Sequence, residues 1–261
     1  MPITIAVSNE KGGVAKTTTT ISLGAALVDH GQSVLLIDLD AQANLTLSLG
    51  FEPGESRLTS CDVLLDNASI QSTCRKTDVA HLDLIPSSSR IETSEQFLPM
   101  RTNHTTILRQ AIANANLAYD FIILDCPPVL GAVTKNALTA ADLLLIPTQA
   151  EYFSAYALRN MMTLIRKIRE EDNPSLAYRI LVTMLDKRNR THRNISEQLR
   201  TTFGQGVFNT IIEVDTKLRE SPIAGMPITL YKPNARSSTQ YRVLAQELME
   251  YAKETKNKQT T

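Results

Sequence analysis

The sequence contains no tryptophan, few aromatic residues and only three cysteines among its 261 residues. Cys61, Cys74 and Cys126 are odd in number and form no C-x-x-C pair. This pattern argues against a disulfide framework or a zinc site and favours reduced structural thiols in a cytosolic protein. Because 43% of the residues are hydrophobic, the chain is expected to bury a substantial core without such cross-links.

The sequence also lacks a charge excess and a long apolar run. Lysine and arginine total 27, as do aspartate and glutamate, so a nucleic-acid surface would have to come from local clustering. Neither a membrane span nor a signal peptide is recognisable. We therefore expect a cytoplasmic protein with no membrane partner, and no accessory DNA-binding domain before Ile3.

Short apolar, β-branched runs recur along the chain and are typical of strands buried on both faces. They cover 3–7, 33–38, 82–86, 121–125, 143–147 and 178–184. Segments with helical spacing alternate with them at 17–30, 105–115, 155–169, 195–203 and 237–255. The alternation predicts an α/β fold, a mostly parallel twisted sheet with helices on both faces, as one domain over 1–261. The polar stretch 50–80 is expected to be a surface excursion, and 256–261 a disordered tail.

The segment NEKGGVAKTTTT (9–20) lies between the first strand and the first helix. In that position, backbone N–H groups and a helix N-terminus can surround phosphate oxygens, and Gly12 and Gly13 let the chain bend around the anion. Lys16 can reach the β- and γ-phosphates, and Thr17 can place its hydroxyl on magnesium. The alternative is a basic turn that binds nothing, but it does not explain why strand, loop and helix coincide.

Ala15 departs from the general nucleotide-loop pattern, which has glycine before the lysine. A methyl group there is a mild change if the local backbone is right-handed, and a serious one if the position needs a positive φ. The sequence leaves both possibilities open.

Carboxylates end two further strands. Asp38 and Asp40 lie two residues apart, so their side chains start on opposite faces if the strand persists, and different roles are expected. Asp125 ends another strand, where it could hold magnesium directly or through water. Either strand end could instead be a simple turn, but three such ends in one open sheet converge at the carboxyl edge, where ligands bind in this architecture.

These motifs resemble those of the ParA/MinD superfamily of P-loop NTPases, whose deviant Walker A loop carries an extra lysine at its start, here Lys11. The segment 35–46 resembles the family's switch I, and 121–128 its Walker B and switch II. Likewise, 183–188 resembles the strand end near the base, and 217–228 the late segment of the nucleotide pocket. The resemblance covers nearly the whole chain.

The resemblance implies an ATPase that binds ATP and Mg²⁺ and forms a face-to-face homodimer in its ATP state. Lys11 would reach the partner's nucleotide, Asp40 would orient the attacking water, and Asp38 would support the magnesium shell. Hydrolysis by the isolated protein should be slow. The implied metal residues are Thr17, Asp38 and Asp125. The implied nucleotide contacts are Gly12, Gly13, Val14, Ala15, Lys16, Thr17, Thr18, Met184 and Asp186.

Within the superfamily, the pattern fits the small, Soj-like ParA type. The terminus KNKQTT lacks the apolar face by which MinD-like relatives bind membranes. Cys126 has no second cysteine in a partner motif, as the bridging cluster of nitrogenase-type iron proteins would require. Larger ParA proteins carry an N-terminal helix-turn-helix domain, which is not recognisable here.

A basic run at 186–193 is the best candidate for a DNA surface, because such residues bind DNA without reading its sequence in this ParA type. No aromatic residue is interleaved with the run, so contacts to backbone phosphates are favoured over base stacking. A solvated helix start is the alternative. The candidate DNA residues are Arg188, Arg190, Arg193, Lys217, Arg219 and Arg236.

The leading hypothesis is a nucleoid-associated ATPase that positions a cargo through a ParB-like or other cargo-adaptor protein, which stimulates hydrolysis. The cargo could be a plasmid, a chromosome or a protein body such as a carboxysome. The alternative is a metallochaperone-type or regulatory ATPase that acts on a protein client without DNA.

Overall fold

Eight strands form one sheet in the computed structural model, which describes residues 2–54, 57–152 and 154–259, with side chains described as far as Glu254. The sheet has the order β3-β4-β2-β5-β1-β6-β7-β8, and every pairing except β3–β4 is parallel. The strands are β1 Ile3–Val7, β2 Val34–Asp38, β3 Arg75–Lys76, β4 Leu82–Ile85, β5 Phe121–Asp125, β6 Leu143–Gln149, β7 Ala177–Leu185 and β8 Val207–Glu213. The predicted fold class is confirmed.

Helices connect the strands and cover both faces of the sheet. They are α1 Lys16–Asp29, α2 Asn44–Ser48, α3 Ser60–Leu65, α4 Ile70–Thr73, α5 Ile91–Phe97, α6 Ile107–Asn114, α7 Ala132–Ala140, α8 Ser154–Glu171, α9 Arg190–Phe203, α10 Lys217–Glu220, α11 Ile228–Tyr231 and α12 Arg236–Gln259. None of the helices in the described ranges is long and apolar enough to cross a membrane.

The core has two layers, one on each face of the sheet. On one face α1 packs against α12, and the fully buried Tyr241 lies between them with its hydroxyl 3.2 Å from Thr19 Oγ1. On the other face, α7 and α8 bury residues such as Leu138 and Met161. Since both faces are covered, the central strands are mainly apolar, and β2 and β5 become polar at their carboxyl ends.

Several elements differ from the sequence expectation. The stretch 50–80 is not wholly a surface excursion, because α3 and α4 bury Cys61, Leu64 and Ile70 in the core. The edge strand β8 was not expected, since Asn209 and Thr210 interrupt its apolar run. Helix α12 continues to Gln259, into the segment expected to be a disordered tail, whose last two residues lie outside the described ones.

The parallel arrangement determines where the functional residues meet. Five neighbouring parallel strands, β2, β5, β1, β6 and β7, end at one edge of the sheet. Val7, Asp38 and Asp125 are in register at that edge. The loop from β1 to α1 therefore lies beside the two carboxylates that the sequence singled out.

Candidate functional site

The loop between β1 and α1 has the left-handed turn that the sequence left open. Gly13 has φ 72°, and Ala15 has φ 68° and ψ 37°. Ala15 is thus the residue before the helix, and its carbonyl accepts the Thr19 amide at 2.9 Å. A positive φ strains any residue with a Cβ, so the serious alternative for Ala15 is the one that the structure contains.

Side chains from neighbouring strand ends hold this loop in place. Asn9 donates to the Pro147 carbonyl at 2.8 Å and accepts from the Lys11 amide at 2.9 Å. Gln149 Nε2 donates to the Gly13 carbonyl at 3.1 Å, and Thr183 Oγ1 donates to the Val14 carbonyl at 3.1 Å. The Gly13 and Val14 carbonyls therefore accept hydrogen bonds from β6 and β7. These contacts hold the loop in its conformation without a ligand.

Gln149 and Thr183 were missed by the sequence analysis. Each is a polar residue at or near the carboxyl end of a buried parallel strand, β6 or β7. The rule that selected Asp38 and Asp125 would have selected both, had it been applied to amide and hydroxyl side chains.

Asp125 is brought together with the first turn of α1, as the sequence predicts. Thr17 Oγ1 donates to Asp125 Oδ2 at 2.7 Å, and Thr20 Oγ1 donates to Oδ1 at 3.2 Å. Burial, and then the Asp38 carboxylate, raise the pKa of Asp125. Lys16 is 8% exposed, and burial lowers its pKa against the opposing effect of Asp125 and Asp40.

Asp38 and Asp40 occupy different environments, but β2 ends at Asp38, so the alternation of strand side chains does not extend to Asp40. Asp38 is fully buried, and its carboxylate accepts the Asp40 amide at 3.1 Å, the Thr46 amide at 2.9 Å and the Thr46 hydroxyl at 2.7 Å. Burial is the main cause that raises the pKa of Asp38. Asp40 is half-buried, and its Oδ1 accepts the Gln42 amide at 3.0 Å. Both Asp38 oxygens are thus engaged with the segment that follows β2.

The donor set suits a hydrated Mg²⁺. Thr17 Oγ1 and Asp125 Oδ2 are both oxygen donors, and they lie within hydrogen-bond distance of one another at the helix N-terminus. Mg²⁺ prefers a few protein oxygens and keeps several waters. Lys16, whose Nζ lies 3.3 Å from the Lys11 carbonyl, supplies the positive charge that phosphate oxygens need beside the same loop.

Lys11 lies against its own chain in this structure. Its Nζ is 2.6 Å from Glu151 Oε2 and 3.2 Å from Gln149 Oε1, at the end of β6. The loop thus carries two lysines with different surroundings: Lys16 is buried and directed along the loop, while Lys11 is partly exposed and ion-paired.

The end of β7 lies next to the loop. Its two expected nucleotide residues, Met184 and Asp186, accept hydrogen bonds from other residues of this chain. Met184 has φ 54°, and its Sδ accepts Gln149 Nε2 at 3.0 Å. Asp186 accepts the amide and Nε of Arg188 at 3.0 and 3.1 Å, which lowers the pKa of Asp186. Val14, in the loop, is buried, and Thr18, in α1, is half-buried.

The expected DNA residues fall into two groups. Arg188, Lys217 and Arg236 form ion pairs with Asp186, Glu220 and Glu213 respectively. By contrast, Arg193 donates to the Lys187 carbonyl at 2.5 Å, and the side chains of Arg190 and Arg219 have no ion-pair partner within the described part of the chain.

Lys187 also lies in the basic run 186–193, although it was not among the six candidate DNA residues. Its Nζ lies 2.9 Å from Glu213 Oε1, while Arg236 pairs with Oε2 of the same carboxylate at 3.2 Å. Glu213 therefore joins the turn before α9 to the start of α12 through Lys187 and Arg236.

Comparisons with known proteins agree with this geometry. Residues 3–178 match a family model described as an AAA domain. The chain is 38% identical over 245 residues to the sporulation initiation inhibitor protein Soj of Bacillus subtilis, which covers 94% of this chain and 97% of that protein.

Two solved structures have the same fold over nearly their whole length. One is titled cobyrinic acid a,c-diamide synthase from Mycobacterium smegmatis, with bound ADP and magnesium; it is 31% identical with a TM-score of 0.85, over 97% of this chain and 96% of that one. The other is a putative plasmid partition protein from Borrelia burgdorferi bound to AMPPNP; it is 27% identical with a TM-score of 0.83, over 96% of this chain and 100% of that one.

Proposed function

We infer the function of this chain from its membership of a family: it belongs to the ParA/Soj family of P-loop ATPases. It is an ATPase whose cofactors are ATP and Mg²⁺. Its relatives belong to chromosome and plasmid partition systems. Our proposal concerns the finer function: nonspecific DNA binding by an ATP-dependent homodimer that positions a cargo through an adaptor protein.

The observation that carries the proposal is the meeting of the loop with two strand ends. Lys16 and Thr17 begin α1 beside Asp125, and Asp38 lies opposite Asp125 on the neighbouring strand. The loop amides and Lys16 would bind the phosphates, and Thr17 and Asp125 would hold Mg²⁺, which would neutralise charge on the β- and γ-phosphates. Val14, Ala15 and Thr18 would contribute to the loop, and Met184 and Asp186 would line the base side.

Hydrolysis needs a group that orients water at the γ-phosphate. Asp40 is the candidate, because it lies in the turn beyond β2, is partly exposed, and is near enough to Lys16 to affect its pKa. Lys11 would add positive charge across a dimer interface, where charge builds up during phosphoryl transfer. To do so it must leave Glu151, with which it pairs at 2.6 Å. Lys11 would thus give up its ion pair with Glu151 when the dimer forms, and hydrolysis would depend on dimer formation.

DNA binding is proposed to depend on the same dimer. A monomer of zero net charge offers a modest basic patch, in which acidic side chains neutralise three of the six expected residues. A two-fold dimer places two such patches on one face, which doubles the phosphate contacts. The cargo would be a plasmid, a chromosome or a protein body such as a carboxysome, linked through a ParB-like or other adaptor at the nucleoid.

Fluorescence anisotropy on random duplex DNA tests this proposal. We expect binding with ATP, little binding with ADP, and none for a double variant with Arg188→Glu and Arg219→Glu that still dimerises with ATP. Arg166→Glu changes an exposed arginine of α8 that is not among the expected DNA residues; it is the matched control and should bind DNA as the wild type does. Equal binding in all nucleotide states would contradict the proposal.

A second candidate is favoured by the ion pairs themselves. Arg188, Lys217 and Arg236 are each neutralised by a neighbouring carboxylate, which is ordinary for a solvated protein surface. An ATPase that acts on a protein client without DNA would have such a surface. Absence of DNA binding by an ATP dimer that forms normally would select this candidate.

A further inference from the structure

Thr46 occupies a junction between three segments of the carboxyl edge. It lies in α2 and is completely buried. Its hydroxyl donates to Asp38 Oδ2 at 2.7 Å and accepts from the Ser87 amide, just beyond β4, at 2.9 Å. One hydroxyl therefore connects the ends of β2 and β4 with the helix that follows β2.

Asp38 extends this connection to Asp40. Its Oδ2 accepts both the amide and the hydroxyl of Thr46, while its Oδ1 accepts the Asp40 amide at 3.1 Å. The backbone that carries Asp40 is thus held by a carboxylate to which Thr46 donates two hydrogen bonds. Hydrogen bonds thus connect Ser87 to Thr46, Thr46 to Asp38, and Asp38 to Asp40.

We propose that Thr46 is a positioning residue for ATP hydrolysis, which acts through Asp38 to place the turn that carries Asp40. The inference rests on the proposed role of Asp40 in orienting water. It also assigns Asp38 a role in shaping this turn, because both of its oxygens already accept donors from residues 40 and 46. Removal of the Thr46 hydroxyl would take away one of the two donors to Asp38 Oδ2 and would leave the Ser87 amide without its acceptor.

A buried threonine that only filled space would behave differently. Its loss would lower the free energy of unfolding, but it would not lower turnover while leaving ATP affinity unchanged. A positioning residue affects the chemical step more than ground-state binding, because the phosphate contacts at Lys16 and Thr17 remain intact. The split between these two measurements distinguishes the two roles.

The first test compares Thr46→Val, Thr46→Ser and Ser48→Ala. Thr46→Val keeps the shape and removes the hydroxyl; we expect its Kd for magnesium–ATP to stay within about twofold of wild type and its turnover to fall by about ten- to a hundredfold. Thr46→Ser should restore most of the turnover. Ser48→Ala removes a hydroxyl of the same helix that donates to the Asn44 carbonyl, and it should have wild-type turnover.

The second test asks whether the effect passes through Asp38. In an Asp38→Asn background, Thr46→Val should cause little further loss of turnover, because two residues that act through one contact are not additive. Additive losses would overturn the inference, as would wild-type turnover of Thr46→Val or an equal loss of ATP affinity and turnover. Circular dichroism melting establishes that each variant is folded.

Asp40→Ala separates failure of this inference from failure of the proposed function. If Asp40→Ala hydrolyses ATP at the wild-type rate, the water role of Asp40 is wrong and the inference fails with it. If Asp40→Ala is slow while Thr46→Val is normal, only the inference fails.

Discussion

At the scale of single residues, Ala15 is the strained position of the nucleotide loop. Its φ of 68° places a Cβ in the left-handed region, which costs an L-residue about 1–2 kcal/mol. The conformation is maintained because α1 begins at the next residue and because Thr183 holds the Val14 carbonyl. A glycine would adopt the same turn without this strain.

Ala15→Gly should therefore stabilise the protein. The relief of strain exceeds the added chain entropy of glycine in the unfolded state, so we expect the free energy of unfolding to rise by about 0.5–1 kcal/mol in urea denaturation. Ala113→Gly is the matched control: Ala113 is exposed in helix α6, where the same change should cost up to about 1 kcal/mol. Destabilisation of both variants would show that Ala15 carries no strain.

The raised pKa of Asp125 predicts how stability depends on pH. With its pKa raised to about 8, the folded state without nucleotide keeps a proton that the unfolded state loses near pH 4. The unfolded state thus binds fewer protons between these values, so stability falls as pH rises.

Between pH 5.5 and 7.5, the free energy of unfolding should therefore fall more in the wild type than in Asp125→Asn, which lacks this carboxyl. Urea denaturation of both proteins at the two pH values measures this difference. Parallel pH profiles of wild type and variant would contradict the prediction.

At the scale of secondary-structure elements, Glu95 of α5 caps the helix that follows the Asp125 segment. Its Oε2 accepts the Ala132 amide at 2.6 Å and its Oε1 the Val133 amide at 3.2 Å, at the N-terminus of α7. A Cβ on Gly131 would overlap Glu95 Oε2, so a larger residue there would displace this carboxylate. Two elements distant in sequence thus share one contact.

Gly131→Ala should destabilise the protein by about 1–3 kcal/mol, because it displaces the Glu95 carboxylate from the two amides. In a Glu95→Ala background the same substitution should cost much less, since the overlapping atoms are gone. A double-mutant cycle by urea denaturation measures the coupling. Full additivity would contradict the account of Gly131.

Lys11 and Glu151 connect the nucleotide loop with the end of β6. Lys11→Ala should still bind ATP as a monomer but fail to form the ATP dimer, because the charge that reaches the partner is lost. Glu151→Gln frees Lys11 from an exposed ion pair of modest strength and should lower the dimer dissociation constant by about two- to fivefold. Light scattering against ATP concentration measures both; a normal ATP dimer of Lys11→Ala would refute the role of Lys11.

The sequence predicted those elements best whose own residues show a clear local pattern. The central strands were predictable because both of their faces are buried, and the loop because it combines glycines and lysines between a strand and a helix. Strand β8 was not, because it lies at the sheet edge and carries Asn209 and Thr210. Helix α9 starts at Arg190, earlier than expected, because Asn189 accepts the Thr191 amide and acts as its cap.

Long-range contacts were the least predictable part of the site. The bond from Gln149 to the Gly13 carbonyl joins residues 136 positions apart, and nothing in either local pattern specifies it. The same holds for the φ of Ala15, since composition alone left both backbone conformations open. Such features depend on which strands are neighbours, and so they follow from the topology.

At the scale of the whole molecule, DNA binding by the proposed dimer should depend strongly on salt. If about six to ten phosphates are neutralised, a change from about 50 to 200 mM salt should weaken binding by about 10³ to 10⁵. Base sequence should matter little, because phosphate contacts carry no base identity. Anisotropy titrations on two unrelated duplexes across this range measure both effects. A flat salt response would contradict a phosphate-based interface.

The packing of α1 against α12 has a consequence for the order of folding. Helix α1 comprises residues 16–29, but it is covered by Tyr241, Leu244 and Leu248, which lie in α12 near the other end of the given sequence. Pairings between segments so distant in sequence form late in folding. The apolar face of α1 should therefore stay uncovered until α12 docks, and a partly folded chain should expose that face to other chains.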